Sequence, residues 1–229
     1  MPHRPPAAGL MPGPEAHLGP TAAAAAAVLG AIVGLLADRL AARWPDHEDG
    51  AIRRPDWRTI VVVVLGALAF GGLAARWSAP RDVVVLGLWF GALIVLLATD
   101  LDQRLLPDRI TLPLIPLTLI VLLSGWGPIL GSGPGAVVDG LAAGLGLTAV
   151  LAVTDALFHG GLGLGDLKLS PSLGFMAGVA HLVAGLAVAA IGGAAVLLFL
   201  LAARRITLRS FVPFGPILIV GGILAAVAA

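Results

Sequence analysis

The chain has 229 residues, of which 59% are hydrophobic and 12% are charged, and its formal net charge is +1 at pH 7. Soluble domains are about one quarter charged, so this composition excludes a water-soluble globular protein and makes lipid the main solvent. The small net charge and the lack of Lys/Arg clusters among aromatic residues argue against a nucleic-acid partner, and without cysteine there is no disulfide, thiolate metal ligand or cysteine nucleophile.

Apolar runs recur along the chain, each close to the 17 to 25 residues or so that a helix needs to cross about 30 Å of hydrocarbon. These runs are apolar on every face, whereas the strands of a membrane β-barrel alternate in polarity. We therefore predict an all-α, polytopic membrane helical bundle with eight transmembrane segments, or seven if the short sixth segment is not a separate span. In chain order the segments are 21–43, 59–77, 83–100, 110–126, 135–158, 167–181, 182–203 and 211–228.

The predicted organisation is a single membrane-embedded domain over residues 1–229, because the sequence has no fixed-period repeat and no polar stretch long enough to fold alone. Residues 1–20 are Pro-rich and are expected to form a flexible N-terminus. The first apolar run is long for the core of a signal peptide, so we expect a retained anchor. The polar stretch 44–58 is expected to be a short loop.

Orientation follows from the positive residues, which are retained on the cytoplasmic side of a membrane. Eleven of the 14 Lys and Arg residues flank the first, third, fifth and seventh loops. We therefore predict that both termini lie outside and that the odd-numbered loops lie inside.

Two acidic residues stand at predicted cytoplasmic ends of spans, where an ionisable group near a membrane is costly unless it has a use. Asp100 ends the third segment, and Asp166 follows Gly163-Leu164-Gly165 before the sixth. Under the predicted topology the two carboxyl groups lie on one side and can meet. Such a pair does not ionise fully, so one group can take a proton from water while the other polarises a scissile carbonyl, as in aspartic proteases. Gly163 and Gly165 would allow a close approach of substrate or of a neighbouring helix.

Three other interpretations stay open from these residues alone. Asp102 and Asp108, beside arginines, are typical of solvated markers of topology. Asp100 and Asp102 together could ligate Mg²⁺ in a transferase that acts on a phosphorylated lipid. Acids inside a membrane bundle could also serve a small ion-coupled transporter. Asp38, beside Arg39, is interpreted as a local ion pair at the membrane interface without a role in function.

Two motifs resemble the signatures of the prepilin peptidases, the type IV leader peptidase family of GxGD-type membrane aspartic peptidases. The first is Thr99 to Pro113, Thr-Asp-Leu-Asp-Gln-Arg-Leu-Leu-Pro-Asp-Arg-Ile-Thr-Leu-Pro, and the second is Gly161 to Leu169, Gly-Leu-Gly-Leu-Gly-Asp-Leu-Lys-Leu. A softer match is Val212-Pro213-Phe214-Gly215-Pro216. The resemblance is good from Trp89 onward and poor over the first 80 residues.

The resemblance implies an endopeptidase that removes the leader of type IV prepilins or pseudopilins at the cytoplasmic face of the bacterial inner membrane. Asp100 and Asp166 would be the catalytic pair. The implied supporting or substrate-binding residues are Gly163, Gly165, Lys168, Asp102, Pro107 and Asp108. Lys168 would tune the carboxyl groups or meet an acidic residue of the substrate, unless it only marks the cytoplasmic side.

The N-terminal region departs from the family. Many members carry there a domain with paired Cys-x-x-Cys motifs that is associated with N-methylation of the cleaved pilin, and the loop 44–58 stands in its place. Since this sequence has no cysteine, a zinc site of that kind is excluded and methyltransferase activity is doubtful. No metal and no cofactor are expected. The individual substrate, its role in pili, secretion or DNA uptake, and the oligomeric state do not follow from the sequence.

Overall fold

The computed structural model describes residues 19–44, 53–157, 163–205 and 214–229. Parts of the predicted N-terminus and first loop, and the motif residues Gly161, Leu162, Val212 and Pro213, lie outside these ranges. The described part contains seven helices, α1 Pro20–Ala41, α2 Trp57–Arg76, α3 Pro80–Gln103, α4 Asp108–Leu123, α5 Pro134–Leu157, α6 Leu164–Ala202 and α7 Gly215–Ala228.

Five of the described helices, α1, α2, α3, α5 and α6, are long and apolar enough to cross a membrane. Helices α4 and α7 are shorter, with 16 and 14 residues. Many large apolar side chains point outward from these helices, among them Leu88, Ile191 and Phe199, and such a surface is stable in lipid but not in water. The predicted all-α polytopic membrane fold is confirmed.

Helix α6 combines the sixth and seventh predicted segments, 167–181 and 182–203. It is interrupted at Gly178, whose φ of 68° and ψ of 177° are not helical. Leu173, before the break, lies against Gly222 of α7, while Gly185 and Gly193, after it, lie against Gly221 and Ile217. Contacts after the break therefore run backward along α7. The first part of α6 runs from Gly165, which lies against Leu106 at the end where α4 begins, to Gly178, which lies against Asp139 at the start of α5, so the two parts of α6 are antiparallel. The predicted boundary at 181/182 was wrong by a few residues, because the apolar run alone does not mark the turn.

Helix α3 lies in the centre of the bundle and contacts α1, α2, α4 and α7. Its side chains Leu86, Phe90, Leu93 and Ile94 are fully buried. The outer helices approach one another closely at glycines: Gly174 of α6 faces the backbone of Gly144 in α5, and Gly185 faces the backbone of Gly221 in α7. Small residues permit this packing in membranes.

Several helix ends meet at one end of the bundle, which we call the site end. Helices α1 and α3 finish there, and α2, α4, α6 and α7 begin there, as side-chain contacts between these ends show. The N-cap Asp56 forms a capping box with Thr59 at the start of α2, which satisfies backbone N–H groups that the first turn leaves without partners. The site end therefore gathers residues from six helices that are distant in sequence.

Candidate active site

Asp100 lies in the last turn of α3 and points into the bundle, with 6% of its surface exposed. The helix ends at Arg104, which has a left-handed φ of 55° and donates its backbone N–H to the Asp100 carbonyl at 2.9 Å. This cap ends α3 within one turn of Asp100. The chain then passes through Leu105 and Leu106 to Pro107, the N-cap of α4.

Asp166 lies in the first turn of α6 and is equally buried, with 6% of its surface exposed. Its backbone N–H donates to the carbonyl of Gly163, the N-cap, at 3.0 Å. The side chain also lies over this residue, because a Cβ placed on Gly163 would be 3.5 Å from Asp166 Oδ2. The Gly163 to Asp166 turn therefore directs the carboxyl group into the bundle rather than into solvent.

The carboxyl groups of Asp100 and Asp166 are both buried at the site end, within the range of an electrostatic interaction. Oδ2 of Asp100 is buried and has no hydrogen-bond partner among the described residues. A buried polar atom without a partner is costly and often marks a functional site. Both aspartates that the sequence predicts to meet thus lie at the site end.

Gly165 allows α6 to pack against the connection between α3 and α4. A Cβ on this residue would lie 2.7 Å from Leu106 Cβ, closer than carbon atoms pack. The close approach expected at Gly165 is therefore made with a neighbouring part of this chain. At Gly163 the surroundings leave ordinary van der Waals space.

Lys168 bridges α6 to α4 rather than turning toward Asp166. Its ammonium group donates to both carboxylate oxygens of Asp108, at 2.7 and 2.8 Å. Pro107 precedes this acid, and its carbonyl accepts the backbone N–H groups of Ile110 and Thr111 at 3.0 and 3.1 Å. The ion pair lies at the surface, with 35% of the Lys168 side chain and 56% of the Asp108 side chain exposed.

Asp102 is in contact with two arginines. Its Oδ1 is 2.6 Å from Arg53 Nε and 2.9 Å from Arg58 Nη1. In the described ranges, no three His, Cys, Asp or Glu side chains are grouped so that they could hold a metal ion.

Gly215 is a site residue that the sequence did not single out. It begins α7 and lies against Asp100, since a Cβ on this residue would be 2.6 Å from Oδ2. The available signal was the Phe-Gly-Pro turn that opens the last apolar segment. It matches a family motif only loosely, and the contact partner is more than 100 residues away in sequence.

Comparison with known proteins agrees with the motifs. The model of the type IV leader peptidase family matches residues 87–203. Proteins named prepilin leader peptidase/N-methyltransferase are similar to the chain. The protein from Burkholderia pseudomallei (strain K96243) is 36% identical over 165 residues, which are 71% of this chain and 52% of the relative. The one from Bacillus subtilis (strain 168) is 32% identical over 167 residues, 69% of this chain and 61% of the relative.

A third relative, from Pseudomonas putida, has the same name and is 36% identical over 154 residues, 67% of this chain and 52% of its own length. The chain thus spans about half the length of the curated relatives it matches. No solved structure matches it.

Proposed function

Because this chain belongs to the type IV leader peptidase family, we propose that it is a membrane aspartic endopeptidase that removes the leader peptide of type IV prepilins or pseudopilin-like proteins. The observation that carries the proposal is the pair Asp100 and Asp166, two acids from separate motifs that are both buried at the site end, each with 6% of its surface exposed.

In the proposed reaction, one ionised carboxyl group of the pair takes a proton from water. The resulting nucleophile attacks the scissile carbonyl, while the protonated carboxyl group donates a hydrogen bond to the carbonyl oxygen. The tetrahedral intermediate collapses when the leaving amine receives a proton, and the two product chains separate. A shared proton between two close acids is the usual state of such pairs, and no metal ion or cofactor enters the reaction.

The proposed supporting residues act around this pair. Gly163 shapes the turn that carries Asp166, and Gly165 lets α6 approach the α3–α4 connection. Pro107, Asp108 and Lys168 hold the beginnings of α4 and α6 together. With both of its carboxylate oxygens occupied by Lys168, Asp108 is better suited to fixing these helices than to reacting.

We place the site at the cytoplasmic face of the bacterial inner membrane. Arg43, Arg58, Lys168 and Arg204 lie at or beyond helix ends on the site end, whereas Arg76 lies at the other end. Positive residues favour the cytoplasmic side, so this distribution supports the orientation. Lipid surrounds the single domain proposed for residues 1–229, and prepilin-like proteins are its macromolecular partners.

N-methylation is not part of the proposed function. The relatives' printed names include N-methyltransferase, but this sequence has no cysteine with which to build the Cys-x-x-Cys domain that the family resemblance associates with that step. We therefore propose a peptidase without the second activity.

Co-expression of the chain with the prepilin-like proteins of its own genome tests the proposal. We expect each true substrate to shift on a gel and to have a shortened N-terminus by mass spectrometry, without an added N-methyl group. Cleavage in isolated membranes is expected to persist in EDTA. A Mg²⁺-dependent transferase would lose its activity under the same conditions. If none of these proteins is shortened while the chain is inserted in the membrane, the proposed function is wrong.

A further inference from the structure

Close to the carboxyl pair, the site end contains a buried polar network that the proposed reaction does not use. Asp38 of α1, only 1% exposed, accepts hydrogen bonds from the side chains of Arg39, Arg53 and Thr59, the last at 2.9 Å. The sequence predicted only the local pair with Arg39. Burial and two partners from beyond α1 make Asp38 part of a larger structure rather than an interfacial ion pair.

Arg53 is the centre of this network. Besides Asp38 it contacts Asp56 at 2.5 Å and Asp102 at 2.6 Å. Burial alone would lower the pKa of Arg53, but its hydrogen bond to Asp38 and the charges of Asp38, Asp102 and Asp56 raise that pKa above its ordinary value. A guanidinium group can contact several carboxylates at once because its donors form a rigid fork, which an ammonium group lacks.

The network ends on the last turn of α3. Asp102, with 3% of its side chain exposed, forms an ion pair with Arg53 and accepts a hydrogen bond from Arg58 Nη1 at 2.9 Å. The Gln103 side-chain amide donates to the Ala41 carbonyl of α1 at 2.9 Å. Successive helical residues are turned by about 100°, so Asp100 and Asp102 lie on nearly opposite faces of the same turn. The network therefore anchors the back of the turn whose front carries Asp100.

A helix end without such anchors frays, because its last carbonyl groups have no partners within the helix. Asp100 lies in this last turn, four residues before the left-handed cap at Arg104. Movement of the turn would change the position of the carboxyl group relative to Asp166. Asp38 and Arg53 also lie outside residues 87–203, the part that the family model matches.

We propose that Arg53 is a positioning residue, which acts through Asp102 to hold the last turn of α3 so that Asp100 stays opposite Asp166. The inference rests on the proposed function for its effect on activity. It assigns to the loop before α2 a specific task in the site, one that neither motif of the sequence contains.

Kinetics of Arg53→Gln, Asp102→Asn and the double variant on a cleaved prepilin test the proposal. Since a displacement of about 1 Å can cost about 100-fold in rate, we expect kcat to fall by about 10- to 100-fold with KM nearly unchanged. The double variant should be no slower than Asp102→Asn, and Arg53→Lys should be intermediate. Arg54→Gln, which removes the exposed neighbouring arginine, is the matched control. Wild-type kcat in Arg53→Gln, or additive losses in the double variant, would overturn the proposal.

A distance measurement gives an answer that does not depend on cleavage. The sequence has no native cysteine, so spin labels can be placed on cysteines introduced at the exposed residues Leu40 and Leu105, near the ends of α1 and α3. We expect a narrow distribution of distances between the two labels in the protein with only the two introduced cysteines and in its Arg54→Gln variant. The distribution should be broader in the Arg53→Gln variant. An unchanged distribution in Arg53→Gln contradicts positioning, even if no prepilin is cut. If the protein with only the two introduced cysteines cuts no prepilin, the proposed function is contradicted, but the positioning role of Arg53 is not.

Discussion

Gly215, the first residue of α7, packs directly against the carboxyl group of Asp100. A Cβ on Gly215 would lie 2.6 Å from Oδ2 and 2.9 Å from the carboxyl carbon. The start of α7 therefore forms one wall beside Asp100, although α7 lies beyond the residues that the family model matches. Helix α7 can lie this close to Asp100 because its first residue, Gly215, has no side chain.

Replacement of Gly215 by alanine is expected to displace the Asp100 carboxyl group. Since a displacement of about 1 Å can cost about 100-fold in rate, we expect the cleavage rate to fall by about 10- to 100-fold while the protein still inserts in the membrane. Gly192→Ala is the matched control, because a Cβ there would meet nothing within 4 Å. Membrane insertion is checked first, and cleavage rates are then compared at equal amounts of detergent-purified protein. Near-normal cleavage by Gly215→Ala would show that the contact between Gly215 and Asp100 does not affect catalysis.

Gly165 and Gly163 are predicted to differ sharply although they are two residues apart. Alanine at Gly165 would crowd Leu106 at 2.7 Å, whereas at Gly163 the nearest atom is 3.5 Å away. We expect Gly165→Ala to lower the free energy of unfolding by about 1 to 3 kcal/mol through overpacking. Gly163→Ala should cost much less, since φ at this N-cap is −71° and suits any residue. Melting temperatures in detergent measure the difference, and equal losses would count against the described α6 packing.

The pair Lys168 and Asp108 is predicted to contribute little to stability. Both side chains are substantially exposed, and exposed pairs contribute about 0.2 to 1 kcal/mol, less at high salt. A double-mutant cycle with Lys168→Met and Asp108→Asn should give a coupling energy in that range. A coupling energy that is large and unaffected by salt would mean that the pair is buried in the working enzyme.

The length of the apolar runs was enough to predict the helical membrane fold, and the positions of the positive residues predicted its orientation. Asp100 and Asp166 were predicted to lie on one side because two complete spans, 110–126 and 135–158, separate them. Asp100 and Asp166 could be found because each lies at the end of a span, where an ionisable side chain near lipid is costly and usually has a function. The break at Gly178 was misplaced, since Leu164 to Ala202 is apolar almost throughout and the turn depends on one backbone conformation.

Contacts between distant polar residues could not be read from the sequence. Asp38 stands beside Arg39, and this neighbour explains it locally, but the partners Arg53 and Thr59 are 15 and 21 residues away. Lys168 is two residues from Asp166, yet it pairs with Asp108. Gly215 is identified only by what it touches. In each case the packing of the helices determines which residues are in contact. The spacing of residues along the sequence does not show which distant residues these are.

We propose that Asp100 and Asp166 together perform the cleavage. The direct measurement is prepilin cleavage, followed by gel shift, by wild type, Asp100→Asn and Asp166→Asn, each checked for membrane insertion, with Asp82→Asn at the opposite end of α3 as the control. We expect wild type and Asp82→Asn to cleave and each site variant to be inserted but inactive. If either Asp100→Asn or Asp166→Asn cleaves at a near-normal rate, the carboxyl pair is not the catalytic centre.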